Sequence, residues 1–316
     1  MRIHLDTDLG GDSDDACALA MLLGWPDVEI TGITTNLDAE GRRAGMVKEL
    51  LAVAGRHDIL VARGSGTTLA GARWDPKSDD AHNWGKTIQA AQNEQGAALD
   101  LLEDSLNKGA TIVAVGAYTN LARLESRRPG TLRGAPVVVM GGWVEPPAEG
   151  LPPWGPEKDW NVQCDPEAAL IVTENADLTL VTHPVCLKCH LRESELPRLR
   201  AIGPLGNLLA RQSHAHAEED DMAALAAVHS GLPDDLVNFH YDPLTCAVAA
   251  GWTGVTVNSM TIVPALDDRL LRFIPDPGGR PMKVVADVDA PGFSELWFHY
   301  LERASRKPLL SRSRRN

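Results

Sequence analysis

The chain has 316 residues, 44% apolar and 23% charged, the make-up of a globular protein with a sizeable core. Its 30 lysines and arginines against 43 aspartates and glutamates leave a net charge of −13, which excludes a nucleic-acid backbone binder that needs a cationic footprint. No apolar run reaches the ~18 residues of a membrane span, and Met1 to Leu5 lacks a secretory pattern. With an odd count of five cysteines, the expectation is a reduced, cytoplasmic protein that meets neither membrane nor nucleic acid.

Short β-rich runs alternate with helical ones. Strands are predicted at Ile3–Asp8, Val28–Thr34, Thr111–Val115, Pro136–Met140 and Leu178–Thr182. Helices are predicted at Asp14–Leu23, Gly41–Ala54, Gly96–Asn107, Asn120–Glu125 and Pro166–Glu174. Such alternation implies an α/β fold, a mostly parallel sheet with crossover helices. Beyond it, Pro204–Val228 reads as one long helix and Pro243–Ala250 as a short one. Val255–Val263, Leu270–Ile274 and Met282–Ala286 read as a small antiparallel addition, and Pro291–Arg303 as a closing helix. No composition shift marks a linker, so residues 1–304 read as a single domain and 305–316 as a basic, solvated tail. The Pro/Gly/Trp-bearing stretches Trp74–Gly85 and Val144–Trp160 read as loops over the strand ends.

The first strand runs into Asp6-Thr7-Asp8-Leu9-Gly10-Gly11-Asp12-Ser13-Asp14-Asp15, five carboxylates within ten residues. Crowded carboxylates resist ionisation unless a cation compensates them, and hard oxygen donors suit Ca²⁺ or Mg²⁺. Ligands of parallel sheets bind at the carboxyl ends of the strands, where this cluster falls. Three more segments belong to that end: Val115-Gly116-Ala117-Tyr118-Thr119-Asn120, Asp159-Trp160-Asn161 before Asp165-Pro166, and His240-Tyr241-Asp242-Pro243. Caps before proline account for Asp165, and taken alone for Asp242, but leave Asp159 and Asn161 unexplained. Cys186-Leu187-Lys188-Cys189-His190 matches a haem-attachment spacing, which an unexported chain does not use. His214 and His216 beside Glu218 to Asp221 read as a solvated helix face.

Together the acidic run, Gly32-Ile33-Thr34-Thr35, Val115-Gly116 to Ala122, Val139-Met140-Gly141-Gly142, Trp160-Asn161 with Asp165-Pro166-Glu167-Ala168, and Asp242-Pro243 resemble the inosine/uridine-type nucleoside hydrolases, over residues 3 to 304. The acidic run is the variant with two extra residues before the paired aspartates. The resemblance implies a Ca²⁺-dependent N-ribohydrolase, a Rossmann-like sheet, a nucleoside substrate and a homodimer or homotetramer. It implies Asp8 as metal contact and base for water, Asp15 and Asp242 as metal ligands, and Val115 as a carbonyl ligand. Asp14, Asp159 and Asn161 correspond to ribose holders, Trp160 between them to a further substrate contact, Met140 to a wall beneath the sugar, and His82 to a lid histidine near the leaving base.

The chain also departs from that pattern. Tyr241 stands where a histidine is usual, with His240 one residue earlier, so the proton donor to the base is open among His240, His82 and Tyr241. Asp159 is one methylene short of the usual Glu beside Trp160. Asp38, next to Ala39, stands near the position of a usual polar substrate contact. Asp12 is an extra carboxylate that could replace an assigned ligand. These departures suggest a modified or 5′-substituted nucleoside. Three other readings stay open: a catalytically inactive binder on the same fold, an EF-hand-like calcium loop, and a haloacid-dehalogenase-type phosphatase with Asp6 as nucleophile.

Overall fold

The computed structural model describes residues 1–73 and 80–305. Residues 74–79 of the first expected loop, and the expected basic tail from residue 306, lie outside the described residues.

Eleven strands occur among the described residues: β1 (Arg2–Thr7), β2 (Glu29–Thr35), β3 (Val61–Arg63), β4 (Thr111–Ala114), β5 (Pro136–Met140), β6 (Asp177–Val181), β7 (His190–Arg192), β8 (Leu236–Phe239), β9 (Val255–Asp267), β10 (Leu270–Pro275) and β11 (Arg280–Val288). Nine form one sheet in the order β10-β9-β11-β6-β5-β4-β1-β2-β3, and β7 pairs with β8 in a second, two-stranded sheet. The pairs from β3 across to β6 and on to β11 are all parallel. In register, Leu5 lies between Ile33 and Val113.

The antiparallel addition is continuous with this sheet. Strand β11 runs parallel to β6 and antiparallel to β9, so one strand joins the two parts. The stretch read as one helix over Pro204–Val228 is two, Pro204–Glu219 and Met222–Val228. Between them Asp221 takes a left-handed φ of 49°, and its carboxylate accepts from the Ala224 amide to start the second helix. Strands β3 and β7, of three residues each, are too short to show as β-rich runs, and β8 (Leu236–Phe239) is a further strand not predicted from sequence.

Two apolar clusters hold the layers together. One joins Leu19 and Met21 of helix Asp14–Gly24 to Met46, Leu244, Trp297 and Phe298; the other joins Leu102, Leu121 and Val172 to Val137 and Val139 of the sheet. Helix Asp14–Gly24 is buried along almost its whole length because helix Ala290–Ala304 lies against it. Trp25 stacks on Tyr300 at 4.1 Å, and the Trp297 indole donates to the Cys17 carbonyl. A side chain at Gly24 would meet the Tyr300 carbonyl, so only glycine allows this approach.

The strand order reverses between β1 and β4. From β1 the chain moves outward through β2 to β3, then returns to lay β4 on the other flank of β1. Such a reversal opens a crevice at the carboxyl ends of the two strands. Residues 8–15 leave β1 there, and residues 115–118 leave β4 there.

Candidate metal centre and active site

The start of helix Asp14–Gly24 places Asp14 and Asp15 beside Asp242, which lies in the first turn of helix Tyr241–Ala249. One carboxylate oxygen from each of the three lies within 4.8 Å of the others. All three are buried, and burial followed by mutual repulsion holds their pKa values well above the ordinary carboxylate range. Asp8 is raised too, first by burial, and the buried Arg43 guanidinium opposes the rise at Asp8 and Asp15. One arginine does not balance four carboxylates. The cluster of Asp14, Asp15 and Asp242, with Asp8 beside it, therefore fits a divalent cation bound through oxygen.

Each acidic side chain is held by its surroundings. The Thr7 hydroxyl donates to Asp15, and the Asp15 amide donates to Asp14 at 3.0 Å. The Trp160 indole donates to Asp8 Oδ2 at 3.3 Å. A Cβ at Gly116 would lie 2.8 Å from Asp8 Oδ1 and 2.7 Å from Asn36 Nδ2, so the backbone leaving β4 comes this near only as glycine. Asn161 Nδ2 lies 3.2 Å from the Val115 carbonyl, 3.3 Å from the Met140 carbonyl and 3.2 Å from Met140 Sδ. It thereby ties the ends of β4 and β5 together. Asp159 accepts from the Gly142 amide at 2.6 Å and caps helix Trp160–Gln163 through Val162 at 3.4 Å; burial pushes its pKa up to about 7.

Other expected residues are held by different surroundings. Asp38 accepts from the Thr35 hydroxyl and from the Arg43 and Ala44 amides, so its carboxylate holds the start of helix Arg42–Val53. His240 is fully enclosed against Trp297 at 4.5 Å and Phe293 at 5.7 Å; burial lowers its pKa to about 3. His82 is half-exposed and pairs with Glu218 at 3.4 Å. Tyr241 stacks on His183 at 5.3 Å, and burial, with Asp12 and then Cys186 and Asp14 nearby, raises its pKa well above the phenol range. Its proton is thus firmly held.

Asp6 is completely buried and accepts from Thr34 at 2.5 Å, Asn120 at 2.8 Å and Asn36 at 3.3 Å. A carboxylate sealed this way cannot reach a phosphate, which removes the phosphatase reading. A strand precedes the acidic run, where an EF-hand loop requires a helix. Cys186 and Cys189 are buried free thiols, and His190 lies on β7, bonded to the Leu187 carbonyl. His216 corrects the solvated-face reading: it is buried, with Nε2 at 3.4 Å from Asp12 Oδ2. Asn238 joins the same group, donating to Asp12 Oδ1 at 2.5 Å and Ser13 Oγ at 3.1 Å. From sequence neither residue carries a role in this group; the available signals are the two-residue insertion that supplies Asp12 and the place of Asn238 in the segment that leads to Asp242.

A profile of the inosine-uridine preferring nucleoside hydrolases matches residues 3–295. The chain belongs to this family. The pyrimidine-specific ribonucleoside hydrolase RihA of Salmonella schwarzengrund (strain CVM19633) is 29% identical over 317 residues, covering 94% of this chain and 96% of RihA. The solved plant nucleoside hydrolase PpNRh1 aligns with a TM-score of 0.77 at 25% identity, covering 95% of this chain and 98% of that one. A purine-preferring ribonucleoside hydrolase from Gardnerella vaginalis gives 0.77 at 22% identity, covering 96% and 99%, and shows the shared fold. This nucleoside hydrolase is accordingly an enzyme acting on N-glycosyl bonds. No described helix is long and apolar enough to cross a membrane.

Proposed function

We propose that this nucleoside hydrolase uses Ca²⁺ to cleave ribonucleosides into ribose and free base. The observation that carries the reading is the meeting of Asp14, Asp15 and Asp242 within 4.8 Å at the β1–β4 crevice. Asp15 and Asp242 would hold the ion, joined by Asp8 and the Val115 carbonyl, an all-oxygen set suited to Ca²⁺. When bound, the ion supplies a Lewis acid that acidifies water and a centre for a vicinal diol.

The chain's own groups account for the rest. Asp8, steadied by Trp160, accepts the proton of the attacking water. Asp14, Asn161 and Asp159 hold ribose hydroxyls, with Met140 forming the floor. N-glycosidic cleavage develops positive charge on the sugar, and buried carboxylates stabilise that charge as it forms. Tyr241, whose hydroxyl keeps its proton because burial and the nearby Asp12 raise its pKa, supports departure of the base as a hydrogen-bond donor.

The test is a ribose-release assay over purine, pyrimidine and modified ribonucleosides, with and without chelator. Release that stops on chelation, and is far slower for 2′-deoxynucleosides, supports the reading. Chelator-independent turnover, or equal turnover of inosine and 2′-deoxyinosine, rejects it. Asp8→Asn that binds Ca²⁺ but releases no ribose separates an enzyme from an inert binder.

A further inference from the structure

The acidic loop is latched to a distant helix through a buried histidine that the proposed reaction does not use. His216 lies on helix Pro204–Glu219 with its side chain 8% exposed. Its Nε2 faces Asp12 Oδ2 at 3.4 Å and makes no hydrogen bond, while Nδ1 lies 3.8 Å from Asp220. The other oxygen of Asp12 accepts from Asn238 at 2.5 Å and from the Asp14 amide at 3.1 Å. One residue on, the Ser13 and Ser213 hydroxyls meet at 2.9 Å, and Asn238 also donates to Ser13. Three segments thus converge: the inserted part of the acidic loop, helix Pro204–Glu219, and β8, whose chain leads on to Asp242.

The Asp14 amide is one of the free N–H groups that open helix Asp14–Gly24, where Ser13 makes no side-chain cap. Asp12 supplies the missing acceptor; Asn238 holds its Oδ1 by a hydrogen bond, and the His216 ring faces its Oδ2 at 3.4 Å. We propose that His216 is a positioning residue for the metal centre: acting through Asp12, it sets the helix start that presents Asp14 and Asp15. The inference rests on the metal reading given above.

The test is a calorimetric Ca²⁺ titration of the full chain, with thermal unfolding in chelator beside it. His216→Phe and Asp12→Asn each weaken Ca²⁺ binding about 10-fold or more, the scale for groups that orient metal ligands. The double variant is no weaker than the worse single one, because both break one path. His216→Gln, which keeps an N–H near Nε2, binds like the unaltered chain. Unfolding temperatures in chelator stay level across the set. Tight binding by His216→Phe, losses that multiply in the double variant, or unfolding temperatures that fall in step with affinity each overturn the proposal. If His216→Phe does not fold, Asp12→Asn at its part-exposed side chain decides: unchanged Ca²⁺ affinity there sinks the latch. An unaltered chain that takes up no Ca²⁺ sinks the metal reading instead.

Discussion

The Trp160 indole donates to Asp8 across 3.3 Å, although the residue is 47% exposed. A half-exposed aromatic thus orients a buried carboxylate. Trp160→Phe removes the donor and keeps most of the ring. The bond also favours the ionised form of Asp8. The expected result is a turnover loss of roughly 5-fold, about 1 kcal/mol for a partly solvated bond to a charge. The acid limb of the pH–rate profile moves to higher pH. Thermal stability stays within about 0.5 kcal/mol. Steady-state kinetics against pH, with a melting curve, checks all three.

Asp15→Asn removes one of the mutually repelling carboxylates. Ca²⁺ binding falls by about 100-fold or more, since affinity in such sites follows ligand charge. The metal-free chain becomes more stable, by about 1 kcal/mol, as repulsion is relieved at a site built for function. Urea unfolding in chelator, beside calorimetric titration, gives the two opposite signs in one protein.

The thermal shift given by Ca²⁺ grows with pH. Asp14, Asp15 and Asp242 have folded pKa values raised above the unfolded ones. A raised carboxylate stabilises the metal-free fold at low pH, and that contribution is lost as pH rises through the folded pKa. The chelated protein therefore weakens toward alkaline pH, while the loaded protein is held by a ligand that needs the carboxylates ionised. Melting temperatures with excess Ca²⁺ and with chelator, compared at pH 6 and pH 8, should diverge. Parallel curves would contradict this account.

His4 is fully buried between Ser105 Oγ at 2.9 Å and Thr34 Oγ1 at 3.0 Å, and burial lowers its pKa to about 3. The unfolded chain protonates this imidazole near 6.5. Between those values unfolding takes up a proton, so stability falls as pH drops, by about 1.4 kcal/mol per pH unit. His4→Gln lacks that slope. Relative to it, the unaltered chain should lose roughly 2 kcal/mol between pH 7 and pH 5 in urea unfolding.

Local chemistry made the parallel part of the fold legible. The run Ile3 to Asp8 announces a strand, Asp14 onward a helix, and Asp165-Pro166 its own cap. The same holds for the acidic site, because Asp8, Asp14 and Asp15 are neighbours in sequence. What stayed hidden depends on partners far along the chain. Asp12 and His216 are 204 positions apart in numbering, and nothing near His216 signals burial. The acidic stretch after it resembles a solvated face until Asp221 is seen in a left-handed turn. Asp38 carried no mark separating a substrate contact from a helix start. Strand β11 joins parallel and antiparallel parts by pairing with β6, a choice made by topology rather than by its own residues.

The brace of helix Ala290–Ala304 on helix Asp14–Gly24 has a temporal consequence. Trp297 grips Cys17 across 280 positions. A ribosome emits the acidic loop first and its backing last, at about 5–20 residues per second. For that interval the nascent loop exists without the surface that seats it. Its affinity for a cation is therefore a property of the finished molecule, acquired only when the far helix closes over the near one.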